Sequence, residues 1–297
     1  AAVARACSYF SPVRAFDDMT GGIEYFHFLE KTADAYSKDE KFRKELVRKL
    51  KETAEKLFAA DNLMVGYTAD EEGYKALPEE LKKFKAALSD KPSRRYAFEF
   101  VPELKNEGFK TSGQVQYVAQ TGNFKKKGLE YTGALEILKV ILSYDYLWIN
   151  LRVKGGAYGC MSGFKRNGES YLVSYRDPHL KRTLDVYKGI PEYIRGFQAD
   201  EREMTKYIIG TISGKDVPKT PQMKGSVSKT AYFCGVTEEM IQKERDQILN
   251  ASVEDIHGLA EIIEAVLAAD QICVVGSESK VSEASDVLME VKSLINC

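Results

Sequence analysis

The sequence predicts an α+β fold, an antiparallel-rich sheet covered on one side by helices. Three observations lead there. Amphipathic helical periods alternate along the chain with short strand-like segments. An Asn-Gly pair sits between two such segments, as in a β-hairpin. A helix-to-strand junction occurs twice in nearly the same words, Ala59-Ala60-Asp61-Asn62-Leu63 and Ala268-Ala269-Asp270-Gln271-Ile272.

Taken in order, residues 39–60 space Phe42, Leu46, Leu50, Ala54 and Leu57 at helical period, with charge on the other face, and lead into a strand-like 63–67. A helix over 79–88 ends before Pro92, because a residue preceding proline is pushed out of the α region. Residues 96–100 and 114–118 alternate as strands do. The stretch 129–152 is apolar on most faces and so reads as a buried helix, with Thr132 and Gly133 available as caps. Strands at 158–165 and 170–176 flank the turn Arg166-Asn167-Gly168-Glu169. Helices are expected at 180–197, 200–212, 237–249 and 253–268, then a strand at 272–275 and a last helix at 281–295.

The repeated junctions lie 209 positions apart, as do Pro12 and Pro221, while Tyr25-Phe26 and Tyr232-Phe233 are offset by 207. Shared order of several matches points to two copies of one domain type. Residues 1–92 would then be the tail of a truncated first copy and residues 93–297 a nearly complete second one. The polar run Ser89-Asp90-Lys91-Pro92-Ser93-Arg94-Arg95 is the expected boundary. The opening Ala-Ala-Val-Ala-Arg has neither an initiator Met nor the apolar core of a secretory signal, and reads as a fragment or processed product.

With 43 basic and 44 acidic residues and no basic face, the chain shows no footprint for nucleic acid. Lys139 and Asp145 interrupt the best apolar stretch, so no membrane span is expected. The five cysteines, at 7, 160, 234, 273 and 297, are odd in number and form no C-x-x-C pair, which speaks for a reducing compartment. A bacterial cytoplasm is expected, or the mitochondrial matrix in a eukaryote.

Three histidines leave little room for imidazole chemistry. His27-Phe28-Leu29-Glu30 opens like the inverted zincin motif H-x-x-E-H, but Lys31 stands where the second histidine belongs, and an ammonium cannot ligate zinc. His179 and His257 have no recognisable nucleophile motif beside them. The glycines of Gly155-Gly156-Ala157-Tyr158-Gly159 lack the spacing and the Lys-Ser/Thr ending of a phosphate loop.

The whole phrase Asn150-Leu151-Arg152-Val153-Lys154-Gly155-Gly156-Ala157-Tyr158-Gly159 resembles the Arg-and-Tyr signature in the last domain of pitrilysin/insulinase-family zinc metallopeptidases, in the presequence-protease branch. Phe10-Ser11-Pro12, Asp18-Met19-Thr20-Gly21-Gly22, Asn62-Leu63-Met64-Val65 and Ser174-Tyr175-Arg176-Asp177-Pro178 agree with that branch. The resemblance implies four homologous α/β domains in two halves, of which residues 1–92 would end the third and residues 93–297 form the fourth. It implies a zinc site in the absent N-terminal half, with no metal ligand and no cofactor in this chain. It implies peptide substrates and, as partner, an N-terminal catalytic half on the same polypeptide or a separate chain, with no nucleic acid or membrane partner. Arg152 and Tyr158 would be the substrate-binding and catalytic residues, with Gly155 and Gly156 turning the chain so that both face one cavity. The chain alone would be inactive within a zinc metalloendopeptidase that degrades short unstructured peptides. The alternative is a non-catalytic subunit or binding module of the same fold.

Overall fold

The computed structural model describes residues 1–92 and 94–295. Ser93, where the second domain was expected to begin, and Cys297 lie outside the described residues. In chain order the elements are α1 (Ala2–Ser8), α2 (Pro12–Gly21), α3 (Ile23–Lys38), α4 (Glu40–Leu57), α5 (Glu71–Ala86), β1 (Asn106–Thr111), β2 (Gln116–Asn123) and α6 (Ala134–Ile141). Then follow β3 (Gly159–Phe164), β4 (Glu169–Asp177), α7 (Lys181–Lys188), α8 (Ile190–Arg195), α9 (Glu201–Lys215) and α10 (Pro221–Cys234). The last are α11 (Glu238–Leu249), α12 (Val253–Gly258), α13 (Ala260–Leu267), β5 (Gln271–Ser277), α14 (Glu278–Glu283) and β6 (Glu290–Ser293). None of these helices is long and apolar enough to cross a membrane.

The chain forms two compact units that interleave along the sequence: residues 1–27, 100–216 and 239–297 make one, and residues 28–99 and 217–238 the other. The first holds the six-stranded sheet, ordered β3-β4-β2-β5-β1-β6. Three pairings are antiparallel (β3 with β4, β4 with β2, β2 with β5) and two are parallel (β5 with β1, β1 with β6). The Asn-Gly turn joins β3 to β4 as expected, with Gly168 at φ 86° where a side chain would be strained.

Side chains alternate across the sheet with a period of two. Val118, Leu172, Ile272 and Val274 face a large core built with α6, α7, α8 and α13. Ala119, Val173 and Cys273 point the other way, where α1 supplies Ala2 and Ala6 and the start of α3 supplies Ile23. The expectation of helices on one side only is therefore corrected: a thick helical layer covers one face and α1 covers part of the other.

This second face is pinned by charge. Glu107 of β1 is buried and accepts hydrogen bonds from Arg5 Nε at 2.8 Å, Tyr9 Oη at 2.6 Å and Lys292 Nζ at 3.0 Å. Arg5 also reaches the buried Asp18 at 2.6 Å. Burial alone would raise the Glu107 carboxyl. The bonds from Arg5, Tyr9 and Lys292 outweigh it and hold the pKa at about 2.

In the second unit, the isolated bridge between Ala59 and Ser89 ties the chain just after α4 to the chain just after α5. Residues 63–70 and 96–105 carry no secondary structure, against the strands expected at 63–67 and 96–100. Their alternation is not matched by a ladder, and Met64, Tyr96 and Phe98 stay exposed. The helix expected over 281–295 is also corrected. It stops at Glu283, after which Ala284 and Leu288 enter the core and Glu290–Ser293 pairs with β1. Pro12 and Pro221, 209 positions apart in the sequence, each open a helix behind a capping hydroxyl, with Ser11 accepting from Arg14 N and Thr220 from Met223 N.

Candidate functional site

The site lies where the buried helix after β2 gives way to β3. The helix starts at Ala134 and changes character at Leu142: residues Leu142–Tyr146 and Trp148–Val153 are wide π-helical turns, closed by bonds such as Lys154 N to Ile149 O at 2.9 Å. Leu147 and Leu151 are buried on the core side, while Trp148 and Val153 remain exposed.

The double glycine then reverses the chain. A Cβ on Gly155 would stand 2.4 Å from the Leu151 carbonyl oxygen, so only glycine fits there. Gly156 adopts φ 78°, the left-handed conformation of a helix-terminating glycine. Its N–H donates to Arg152 O and that of Ala157 to Leu151 O, both at 2.9 Å, which ties off the helix end. Ala157 is buried and Tyr158 emerges beside the edge strand, 61% exposed. Tyr158 N donates to Tyr175 O at 3.1 Å and to Arg176 O at 3.3 Å.

The turn brings the two residues singled out in the sequence side by side. Arg152 Nη1 donates to the Tyr158 carbonyl, and its guanidinium lies 5.4 Å from the Tyr158 ring centre and 4.4 Å from that of Trp148. Gly155 and Gly156 line the bend but offer no side chain. Around this pair stand residues that sequence reasoning did not assign to the site. The Tyr175 ring meets Tyr158 edge-on at 5.6 Å and Tyr117 at 5.3 Å, and the Arg176 guanidinium lies 5.9 Å from the Tyr158 ring. The available signals were that Trp148, the sole tryptophan, stands four residues before Arg152, and that Tyr175 and Arg176 precede the strand-ending Asp177-Pro178.

The arrangement offers an exposed phenol, a guanidinium with donors to spare and flat aromatic faces, a surface suited to hold an extended chain by its carbonyl groups. Among the described residues no three His, Cys, Asp or Glu side chains form a group that could hold a metal ion. His27 meets the Leu294 carbonyl at 3.0 Å and packs near Phe26 and Phe109. His257 meets the Phe197 carbonyl at 2.7 Å.

A profile for the family described as PreP C-terminal domain matches residues 106–279. Protein HypA of Clostridium perfringens is 41% identical over 294 residues, a match that covers 99% of this chain and 30% of that protein. Presequence protease 1, chloroplastic/mitochondrial, of Arabidopsis thaliana is 31% identical over 271 residues, covering 91% of this chain and 25% of that protein. The chain thus spans less than a third of the length of these relatives. Among solved structures, pitrilysin superposes with a TM-score of 0.44 at 14% identity, over 80% of this chain and 31% of that one. The peptidase M16 inactive domain from Pseudomonas fluorescens gives 0.46 at 14% identity, over 70% and 51%.

Proposed function

Because the chain belongs to the PreP C-terminal domain family, we propose that it is the C-terminal, substrate-binding portion of a zinc metalloendopeptidase that degrades short, unstructured peptides. The observation that carries this reading is the pairing of Arg152 with an exposed Tyr158 across a double-glycine turn. The metal would be held by residues outside this chain and would supply the activated water.

Arg152 anchors the peptide. One of its five N–H donors is spent on the Tyr158 carbonyl, which fixes the plane of the fork and leaves the others for peptide carbonyls. Tyr158 directs its hydroxyl at the scissile carbonyl and stabilises the negative charge that grows on that oxygen. Trp148 and Tyr175 flank the pair with apolar surface. Residues 1–92 would close the third of four homologous domains and residues 93–297 form the fourth, a division supported by the recurring junction and by the matching helix starts at Pro12 and Pro221. The partner would be the N-terminal catalytic half. The compartment would be a reducing one, the bacterial cytoplasm in a bacterium, in line with the free thiols of Cys7, Cys160, Cys234 and Cys273.

The test is steady-state hydrolysis of a quenched fluorescent peptide by the full-length protein carrying Tyr158→Phe. Loss of one oxyanion donor is expected to lower kcat by about 100- to 1,000-fold. Unchanged turnover would remove Tyr158 from the chemistry and the reading with it.

A further inference from the structure

We infer that Arg176 is a positioning residue for Tyr158, holding the phenol together with Arg152. This rests on the reading of Tyr158 given above and adds to it a residue on a different strand.

The first observation is the backbone. Along β2 and β4, Gln116 stands opposite Asp177 and Val118 opposite Ser174, so Tyr117 alone faces both Tyr175 and Arg176. β4 therefore carries a bulge, and Arg176 is the bulged residue with φ 49°. Glycine is the residue suited to a left-handed bulge position, since it has no Cβ to collide with the following carbonyl. The other described non-glycine residue at positive φ is Asp270, a residue type that tolerates this region through its short polar side chain. A long arginine has no such local compensation.

The second observation is what the strained position presents. The bulge aims an exposed guanidinium to within 5.9 Å of the Tyr158 ring centre and 5.7 Å of the Tyr175 ring centre. Tyr117, which faces Arg176 across the strands, favours the charged guanidinium and raises its pKa. With Arg152 at 5.4 Å, Tyr158 has a cation near its ring from each of two elements. The third observation is how firmly the position is fixed. Asp177, next in the chain and buried, accepts from His179 N at 2.8 Å and from Thr183 Oγ1 at 2.6 Å, while Tyr158 N donates to Arg176 O at 3.3 Å. Backbone strain of this kind persists where its surroundings over-determine it, and it concentrates at functional sites. Bulges next to such sites commonly serve to re-aim a side chain.

The experiment compares Arg176→Gly, Tyr158→Phe and the double variant in the full-length enzyme on a quenched fluorescent peptide, with thermal unfolding in parallel. Glycine suits the backbone at 176, so the single variant is expected to unfold at a temperature no lower than the parent. Its kcat is expected to fall about two- to fivefold, the worth of one exposed cation–π contact, with KM unchanged. In the Tyr158→Phe background the same change should cost nothing further, because Arg176 acts through the phenol hydroxyl. A parental kcat for Arg176→Gly, or an equal loss in both backgrounds, overturns the inference while leaving the reading of Tyr158 in place. A parental kcat for Tyr158→Phe overturns that reading and this inference together.

Discussion

Replacing Glu107 by glutamine should remove one pH-dependent part of the stability of the fold. The carboxyl is buried, and its pKa falls from the ordinary 4.5 to about 2 in the folded chain. A depressed carboxylate contributes stability that is fully present above the unfolded pKa and is lost as pH falls through the folded one. At about 1.4 kcal/mol per pKa unit, the gap corresponds to about 3 kcal/mol at neutral pH. Breaking a buried pair gives a similar figure, about 3 to 5 kcal/mol, because Arg5 and Lys292 lose their shared negative charge. Urea unfolding of the parent and Glu107→Gln, followed at several pH values, checks this. The variant should be about 3 kcal/mol less stable at pH 7, and the difference should shrink steadily from about pH 5 down to about pH 2. A difference below about 1 kcal/mol, or one that does not change with pH, would refute the linkage between α1, β1 and β6 through this carboxylate.

Gly155→Ala forces a Cβ to within 2.4 Å of the Leu151 carbonyl oxygen and 2.9 Å of that of Asn150, and should cost about 1 to 3 kcal/mol in urea unfolding. On the proposed reading, peptide hydrolysis by the full-length protein should fall with it, as Arg152 and Tyr158 are displaced from each other. Burial holds the Cys7 and Cys273 thiols up at about 12, whereas Cys234 is exposed. Native alkylation near pH 8, mapped by mass spectrometry, should therefore modify Cys234 and spare Cys7 and Cys273 until urea is added.

Where local pattern and tertiary need coincide, the sequence was a good guide. The Asn-Gly hairpin, the strand at β5 and the long apolar segment through Leu135, Leu138 and Leu151 all follow directly from period and turn chemistry. β1 escaped because Asn106-Glu107-Gly108-Phe109 shows no apolar alternation. Its Glu107 is buried through Arg5, a residue more than a hundred positions earlier in the chain that no local window contains. The C-terminal segment misled for the opposite reason. Val281, Ala284 and Leu288 recur at helical spacing, yet the chain leaves the helix between them and uses Glu290–Ser293 to extend the sheet. α10 was missed although Thr220-Pro221 is a recognisable helix start, since its apolar residues, such as Val227 and Phe233, stay exposed. At the candidate site, the closeness of Arg152 and Tyr158 was legible through the glycines between them. The approach of Arg176 to Tyr158 was not, because a bulge is a property of how two strands align and has no signature in either strand alone.

The wide turns over Leu142–Tyr146 and Trp148–Val153 make residue counting in this helix unforgiving. Were the first of these wide turns to close to ordinary α geometry with every residue kept, everything downstream would swing by about 100° around the axis. Leu151 would leave the interior in the same motion that carried Arg152 off its aromatic neighbours. Substitutions that drive these turns into plain α-helix should thus be punished twice, once in the folding of the protein and once in the proposed hold on a peptide, whereas side-chain changes on the exposed face at Val153 should be punished in neither.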